Sequence, residues 1–485
     1  MQVRGPMLFF VWAIVFSPFG GYACGGGVLK DSPEADYGKP NIVFILADDL
    51  GYGHLGCYGQ RIIQTPRLDR MAQEGLRFTR AYSGGTVCAP SRACLMTGLH
   101  GGHASVRANT GGTPLAEGEV TLGDVMRSGG YVTAAFGKWG LGDMDTVGVP
   151  LRRGFDEFFG YLHQAHAHFY YPEYLWRNSV RFPFSANIGG QTRQYTHDLI
   201  MGRALEFVRA HRHKPFFLYL AFTIPHYELL VPEGPHLDRY KGKFPETPYR
   251  GRGRPTGYPT DYAAQDYPRA TTAAMITYMD QGIGQLLDLI QELGIDRQTI
   301  VFFTSDNGPA TGPSDPDFFD ANGPLRGYKR DLYEGGIRVP MIVRWPGRIK
   351  AGSISDFAWY FADVLPTLAE LASASTQRPR DGISVLPVLL GHKPPQRRSP
   401  MFWEYWASPE GPETQAILEG DWKIIHWTDD SKTELYDIGR DIGESRNLAA
   451  RRPEVVRKLL TAMRSCRSDP PEQAEPTKPA GARWR

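Results

Sequence analysis

The sequence predicts an α/β fold: a large N-terminal α/β/α domain on a mostly parallel mixed sheet, then a small C-terminal domain with an antiparallel sheet and a helix. Three observations predict it. Four continuous apolar runs each stop at a residue with chemical capability, helical patterns lie between them, and the pattern changes after "LLGHKPPQRRSP". Unbroken apolar runs suit strands buried on both faces, and strands alternating with helices make a layered domain.

The run "NIVFILADD" ends in Asp48 and Asp49, and "YVTAAFGKWG" ends near Lys138. "PFFLYLAFTIPH" ends at His226, and "TIVFFTSDNG" ends in Asp306 and Asn307. Before the last of these, "TTAAMITYMDQGIGQLLDLIQELG" puts Met275, Met279, Ile283, Leu286, Leu287 and Ile290 on one helical face. Thr271 or Thr272 is the expected N-cap and Gly294 the expected stop. Toward the C-terminus, "MFWEYW", "TQAILEGDWKIIHW" and "TELYDI" read as strands joined by turns, and "RPEVVRKLLTAMRS" reads as a helix with Pro453 near its start.

In open α/β sheets ligands bind outside the carboxyl ends of the strands. That rule gathers Asp48, Asp49, Lys138, His226, Asp306 and Asn307 at one rim. Taken alone, "ADD" is a capped turn. Three carboxylates and an amide oxygen together repel one another unless a cation lies among them. An oxygen-only donor set suits calcium or magnesium rather than zinc.

A chain of 485 residues supports one large domain and a smaller one, and its net charge of +2 favours no anionic partner in bulk. Arg4, an apolar run from Met7 to Phe16 and small residues before Cys24 have the layout of a secretory signal peptide. The expected organisation is a signal peptide over 1–23, a linker over 24–39, a catalytic domain over 40–395, a C-terminal subdomain over 396–467 and a disordered Pro-rich tail over 468–485. The expected location is periplasmic or secreted. Cleavage after Ala23 would leave Cys24 first, as at a lipoprotein attachment site, although Gly21 stands where leucine is usual. Among Cys57, Cys94 and Cys466 at most one internal disulfide is expected. No basic stripe or recognised module points to nucleic acid.

"ADDLGYGHLGCYG", "CAPSRACLMTG", "GKWGLG", "SDNG" and "GYKRDLYEGGIRVPMIVRWPG" follow one another in this order. The set resembles the type I sulfatases of the alkaline phosphatase superfamily, notably the bacterial arylsulfatase A-like polysaccharide sulfatases. The resemblance runs from about Asn41 to "ELYDIGRDIGESRNLA". It implies that a maturation enzyme oxidises Cys88 to formylglycine, an aldehyde whose hydrate is the nucleophile. It further implies that Asp48, Asp49, Asp306, Asn307 and modified Cys88 bind Ca²⁺. Arg92 would support the diol and the carboxylates, Lys138 and Lys329 would clamp sulfate oxygens, and His226 would protonate the leaving alcohol. One departure is Gly140, which stands where many relatives have a histidine; His103, His166 and His168 are candidates to compensate.

"GYLHQAHAHFYYPEYLWRN" supplies aromatic faces and polar tips suited to a sugar, and equally to a packed structural loop. His166 and His168 are the expected substrate contacts, with Arg107 beside them. Residues 232–268, including Arg250, Arg252 and Arg254, read as a long loop at the surface or at a substrate rim. The expected activity is hydrolysis of a sulfate ester on a sulfated saccharide of galactose or N-acetylhexosamine type. A phosphonate or phosphodiester hydrolase of the same superfamily, or a non-catalytic glycan-binding protein with unmodified Cys88, are the alternatives.

Overall fold

The computed structural model describes residues 38–251, 262–397, 399–408 and 411–469. The expected signal peptide, Cys24, most of the expected linker, Arg252, Arg254 and the tail from 470 onward lie outside the described residues.

The main sheet has 11 strands. They are β1 (Asn41–Asp48), β2 (Leu76–Tyr82), β3 (Val132–Lys138), β4 (Glu157–Tyr161), β5 (Tyr174–Arg177), β6 (Val180–Pro183), β7 (Phe216–Pro225), β8 (Thr299–Ser305), β9 (Arg338–Arg344), β10 (Ser353–Ser355) and β11 (Trp359–Tyr360). Their order is β10-β2-β9-β8-β1-β7-β3-β4-β5-β6, with β11 also on β2. The four predicted strands are its centre: β8, β1, β7 and β3 lie side by side and parallel. β1, β7 and β8 are buried along their whole length, which is why their sequences lack alternation. Because the four run the same way, all four polar termini emerge at one edge.

The Pro268–Glu292 helix packs beside this centre with Met275, Met279, Ile283, Leu286 and Ile290 buried and Leu287 half-buried. It begins before the expected Thr271 or Thr272 cap. Pro268 holds the first position, and the Glu246 carboxylate accepts from the N–H groups of Arg269 and Ala270, both at 2.9 Å. A carboxylate from outside the helix thus does the work expected of a neighbouring threonine.

The second sheet is an antiparallel meander of β12 (Met401–Tyr405), β13 (Thr414–Glu419), β14 (Trp422–Trp427) and β15 (Thr433–Asp437). Gly420 and Asp421 turn the β13–β14 hairpin, Gly420 in the left-handed region at φ 63°. Leu459 and Met463 of the Pro453–Ser465 helix cover Phe402, Ile417, Ile424 and Leu435. Ser468, the first residue of the expected disordered tail, is tied down: its N–H donates to Gly102 O at 3.1 Å. Cys57, Cys88, Cys94 and Cys466 are all free thiols. Among the described residues no helix is long and apolar enough to cross a membrane.

Candidate active site

Cys88 is the first residue of the Cys88–Thr97 helix, every residue of which is buried. One helical turn later Arg92 lies on the same face, fully buried. Its Nε and Nη2 donate to Asp306 Oδ2 at 3.0 and 2.8 Å, and Nη1 donates to Lys138 O at 2.7 Å. The helix start therefore docks onto the ends of β8 and β3. Cys88 Sγ lies 3.5 Å from Asp48 Oδ1 and 3.6 Å from Lys329 Nζ. Lys138 Nζ donates to Asp48 Oδ2 at 2.6 Å, and Lys329 Nζ donates to Asp49 Oδ2 at 2.8 Å. Asp49 adopts φ 62°, a left-handed conformation that aspartate tolerates better than most side chains. Its N–H donates to Asp306 Oδ1 at 3.1 Å, closing β1 onto β8.

His226 Nε2 lies 3.5 Å from Asp49 Oδ2, while Nδ1 faces the carbonyl of Tyr227. A carbonyl only accepts, so in the neutral ring Nδ1 carries the proton and Nε2 offers its lone pair to the site. Burial, then the charge of Lys329, pushes the His226 pKa well below its ordinary value. His168 stacks on this ring at 4.4 Å between centroids and is shifted the same way by burial and by His226.

The carboxylates differ from one another. Burial would raise Asp48, yet Lys138, His226, Arg92 and Lys329 hold it well below the usual carboxylate range. Burial and the neighbouring Asp48 charge push Asp306 up to about 7 despite Arg92. The Cys88 thiol is pushed up to about 12 by burial and by Asp48, so at neutral pH it is not the thiolate a cysteine nucleophile requires.

Asp48, Asp49, Cys88 and His226 present ligand atoms all within 4.8 Å of one another. Asn307 donates through Nδ2 to Asp49 Oδ1 at 2.7 Å, whereas its buried Oδ1 has no hydrogen-bond partner. An orphaned amide oxygen beside converging carboxylates fits a hard divalent cation. Asp306, expected in that set, is engaged by Arg92 and the Asp49 amide, with carboxylate lone pairs to spare. A separate group, His100, His103 and Asp381, is already satisfied internally: His103 Nδ1 pairs with Asp381 at 2.8 Å, and His100 Nδ1 accepts from Gly102 N at 3.2 Å.

Above this floor opens a cleft of about 540 Å³. His168, His226 and Lys329 line it, and the structure thereby joins the expected strand-end residues to one expected substrate contact. Neither His166 nor Arg107 lines the cleft. His166 is buried between the Tyr161 and Tyr174 rings, at 5.0 and 4.7 Å. Arg107 donates to the carbonyls of Ala104, Gly102 and Ser468 and lies 3.8 Å from Glu404, a strut between the signature loop and the C-terminal region. The expectations for these two residues are corrected accordingly. Of the long loop, Tyr262 reaches the cleft, whereas Arg250 is exposed and faces Asp266 at 3.3 Å. Sequence reasoning missed Asn109, Gln164, Arg330, Tyr405 and Trp406, which also line the cleft. Arg330 adjoins Lys329 and Asn109 lies two residues past Arg107, so proximity to the motifs was the available signal.

Comparison with known proteins bears on this arrangement. The Sulfatase family profile matches residues 40–374, and a profile described as N-sulphoglucosamine sulphohydrolase, C-terminal, matches 327–469. The chain belongs to the sulfatase family, the sulfuric ester hydrolases. This sulfatase is 33% identical to the N-acetylgalactosamine-6-sulfatase of Homo sapiens over 438 residues, 84% of this chain and 76% of that one. It is 29% identical to the N-acetylgalactosamine-6-O-sulfatase of Bacteroides thetaiotaomicron over 530 residues, 92% of this chain and 96% of that one. The crystal structure of Ps i-CgsB in complex with k-i-k-neocarrahexaose superposes with a TM-score of 0.75 at 26% identity, covering 89% of this sulfatase and 94% of that chain.

Proposed function

We propose that this sulfatase is a calcium-dependent enzyme that removes sulfate from a saccharide of galactose or N-acetylhexosamine type, using formylglycine made from Cys88. The observation that carries the reading is the place of Cys88: at a helix start, beneath the cleft, between Asp48 and Lys329. Its protonated thiol suits a precursor better than a working nucleophile. Hydrated formylglycine would supply the attacking oxygen, and Ca²⁺ held by Asp48, Asp49, Asp306 and the free Oδ1 of Asn307 would lower that oxygen's pKa.

The rest is the work of this chain's own residues. Asp48, Asp49 and Asp306 are matched by Arg92, Lys138 and Lys329, three charges against three. A divalent ion added to that balance leaves the site positive, which favours a sulfate group. Lys138 and Lys329 can exchange their carboxylate contacts for sulfate oxygens and stabilise charge developing there. His226, its Nδ1–H fixed by the Tyr227 carbonyl, would take at Nε2 the proton that the attacking hydroxyl loses and deliver it to the leaving oxygen. His168 stacked on it keeps the ring in place. The saccharide assignment is supported by the names of the two N-acetylgalactosamine sulfatase relatives and by a cleft wall of Tyr227, Tyr262, Tyr405 and Trp406. Export, a maturation enzyme as partner and a lipid anchor at Cys24 complete the proposal.

The test is mass analysis of the peptide carrying Cys88 from native-host protein, with sulfate release from a panel of sulfated sugars, an aryl sulfate and a phosphodiester. An aldehyde at Cys88 and turnover of a sulfated sugar are expected. A plain thiol in every molecule would overturn the formylglycine reading. Activity confined to the aryl ester would overturn the saccharide reading, and faster phosphodiester turnover would overturn the sulfatase chemistry.

A further inference from the structure

Gly140 and Gln164 occupy one another's space at the cleft wall. The ladder between β3 and β4 continues past its last paired residues: Trp139 N–H donates to Tyr161 O at 2.9 Å and Gly140 N–H to Leu162 O at 3.0 Å. Two residues beyond Leu162 the chain folds back, and the Gln164 side chain lies over Gly140. A β-carbon built on Gly140 would stand 2.1 Å from Gln164 Nε2 and 2.7 Å from its Cδ. Gly140 also adopts φ 77°, where a side chain would be strained. A side chain at 140 would strain the backbone and displace the Gln164 amide, so glycine leaves this place to the carboxamide, two residues after the Lys138 that contacts Asp48.

That carboxamide is unusual in its surroundings. Gln164 is 3% exposed and lines the cleft together with His168, His226 and Lys329. Neither Oε1 nor Nε2 has a hydrogen-bond partner among the described residues. A buried amide with both its acceptor and its donor unmet costs the folded protein free energy, and nothing in the packing repays it. A purely structural glutamine would be expected to bond a nearby backbone group. A sulfate oxygen, which only accepts, would satisfy one of the two atoms. A ligand group that both donates and accepts satisfies both.

We propose that Gln164 is a specificity-determining residue, its amide pairing with a donor–acceptor function of the substrate sugar: a ring hydroxyl or an acetamido group. The inference rests on the saccharide reading above and deepens it. The slot opposite Gly140 is a neutral recognition point, and proton transfer in the site is left to His226. Binding relieves the unmet amide, so the interaction discriminates against substrates lacking such a group.

The experiment compares formylglycine-bearing wild type with Gln164→Leu on galactose 6-sulfate, N-acetylgalactosamine 6-sulfate and an aryl sulfate without hydroxyls. The variant is expected to lose roughly 10- to 100-fold in kcat/KM on the sugar, mostly through KM, while aryl sulfate turnover stays within about two-fold. Its Tm is expected to be equal to or above wild type, because an apolar side chain replaces an unpaired buried amide. Loss on both sugars assigns a ring hydroxyl; loss on the N-acetylated sugar alone assigns the acetamido group. Equal losses on sugar and aryl ester, with the sugar still a wild-type substrate, would overturn this inference only. Wild-type activity confined to the aryl ester would overturn the saccharide reading and this inference with it. Gln164→Met repeats the test with an unbranched chain, and a marked fall in Tm for both variants would also overturn the proposal.

Discussion

Two buried clusters of charge in this molecule use the same ingredients to different ends. At the strand ends, Asp48, Asp49 and Asp306 meet Arg92, Lys138 and Lys329 beneath an open cleft. Between the main sheet and the small C-terminal sheet, Lys423 of β14 lies 2.9 Å from both Glu334 and Glu444. There Arg338 pairs with Glu334 at 3.1 Å, and Tyr82 OH donates to the same carboxylate at 2.9 Å. The second cluster is closed by charge: its two carboxylates and two cations are paired with each other, Glu444 Oε2 accepts from Glu334 N–H at 2.6 Å, and Glu444 Oε1, which has no hydrogen bond, faces Lys423 Nζ at 2.9 Å. The first retains an unsatisfied amide oxygen on Asn307 and a lysine, Lys329, that lines the cleft. A closed cluster holds two parts of a fold together. An open one keeps capacity for ligands.

The largest effect that would sharpen this contrast is at Cys88. Cys88→Ala is expected to lower sulfate release at least about a thousand-fold, measured on a sulfated sugar, with Tm shifted by only a few degrees. Retained turnover would break the assignment of the open cluster to catalysis. In the closed cluster, Lys423→Met leaves Glu444 without a cation in the interior while Glu334 keeps Arg338, and is expected to destabilise the fold by about 3 kcal/mol in denaturant titration. Folded Lys423→Met should keep kcat within about two-fold; a selective loss of activity with unchanged stability would mean that the two clusters are not separate devices.

A smaller effect concerns pH. Burial and the Glu334 charge outweigh Lys423 and push Glu444 up to about 7 from an ordinary 4.5. The folded state thus holds that proton more tightly than the unfolded chain. The resulting stability is fully present below about 4.5 and is lost as pH rises through about 7. Glu444→Gln is expected to flatten the dependence of Tm on pH between those values, and an unaltered profile would count against the assignment. The smallest expected effect is at the rim: Trp406→Ala should raise KM for the sugar roughly ten-fold at most and leave kcat nearly unchanged, because one aromatic face is lost while the floor stays intact.

The floor was legible in the sequence and the walls were not. Asp48, Lys138, His226 and Asp306 could be placed together because each follows an unbroken apolar run, and parallel strands buried on both faces end at a common edge. Four strands pointing the same way need no side-chain detail to bring their next residues together. His166 and His168 sit two apart in one motif, yet one packs between tyrosines and the other stacks on His226; sequence cannot say which way a loop side chain points.

Local pattern and strand direction therefore determined the fold class, the helical face from Met275 to Ile290 and the membership of the charged floor. Tertiary structure alone decided what depends on distant partners. Glu246 starts a helix that Thr271 was expected to cap, Arg107 is drawn off to Ser468, and Lys423 finds Glu334 across 89 positions of chain. Gln164 over Gly140 belongs with these, since that contact depends on where the turn after β4 places an amide. Periodicity is a property of neighbours along the chain, whereas hydrogen bonds and ion pairs belong to whichever groups the completed packing brings within reach.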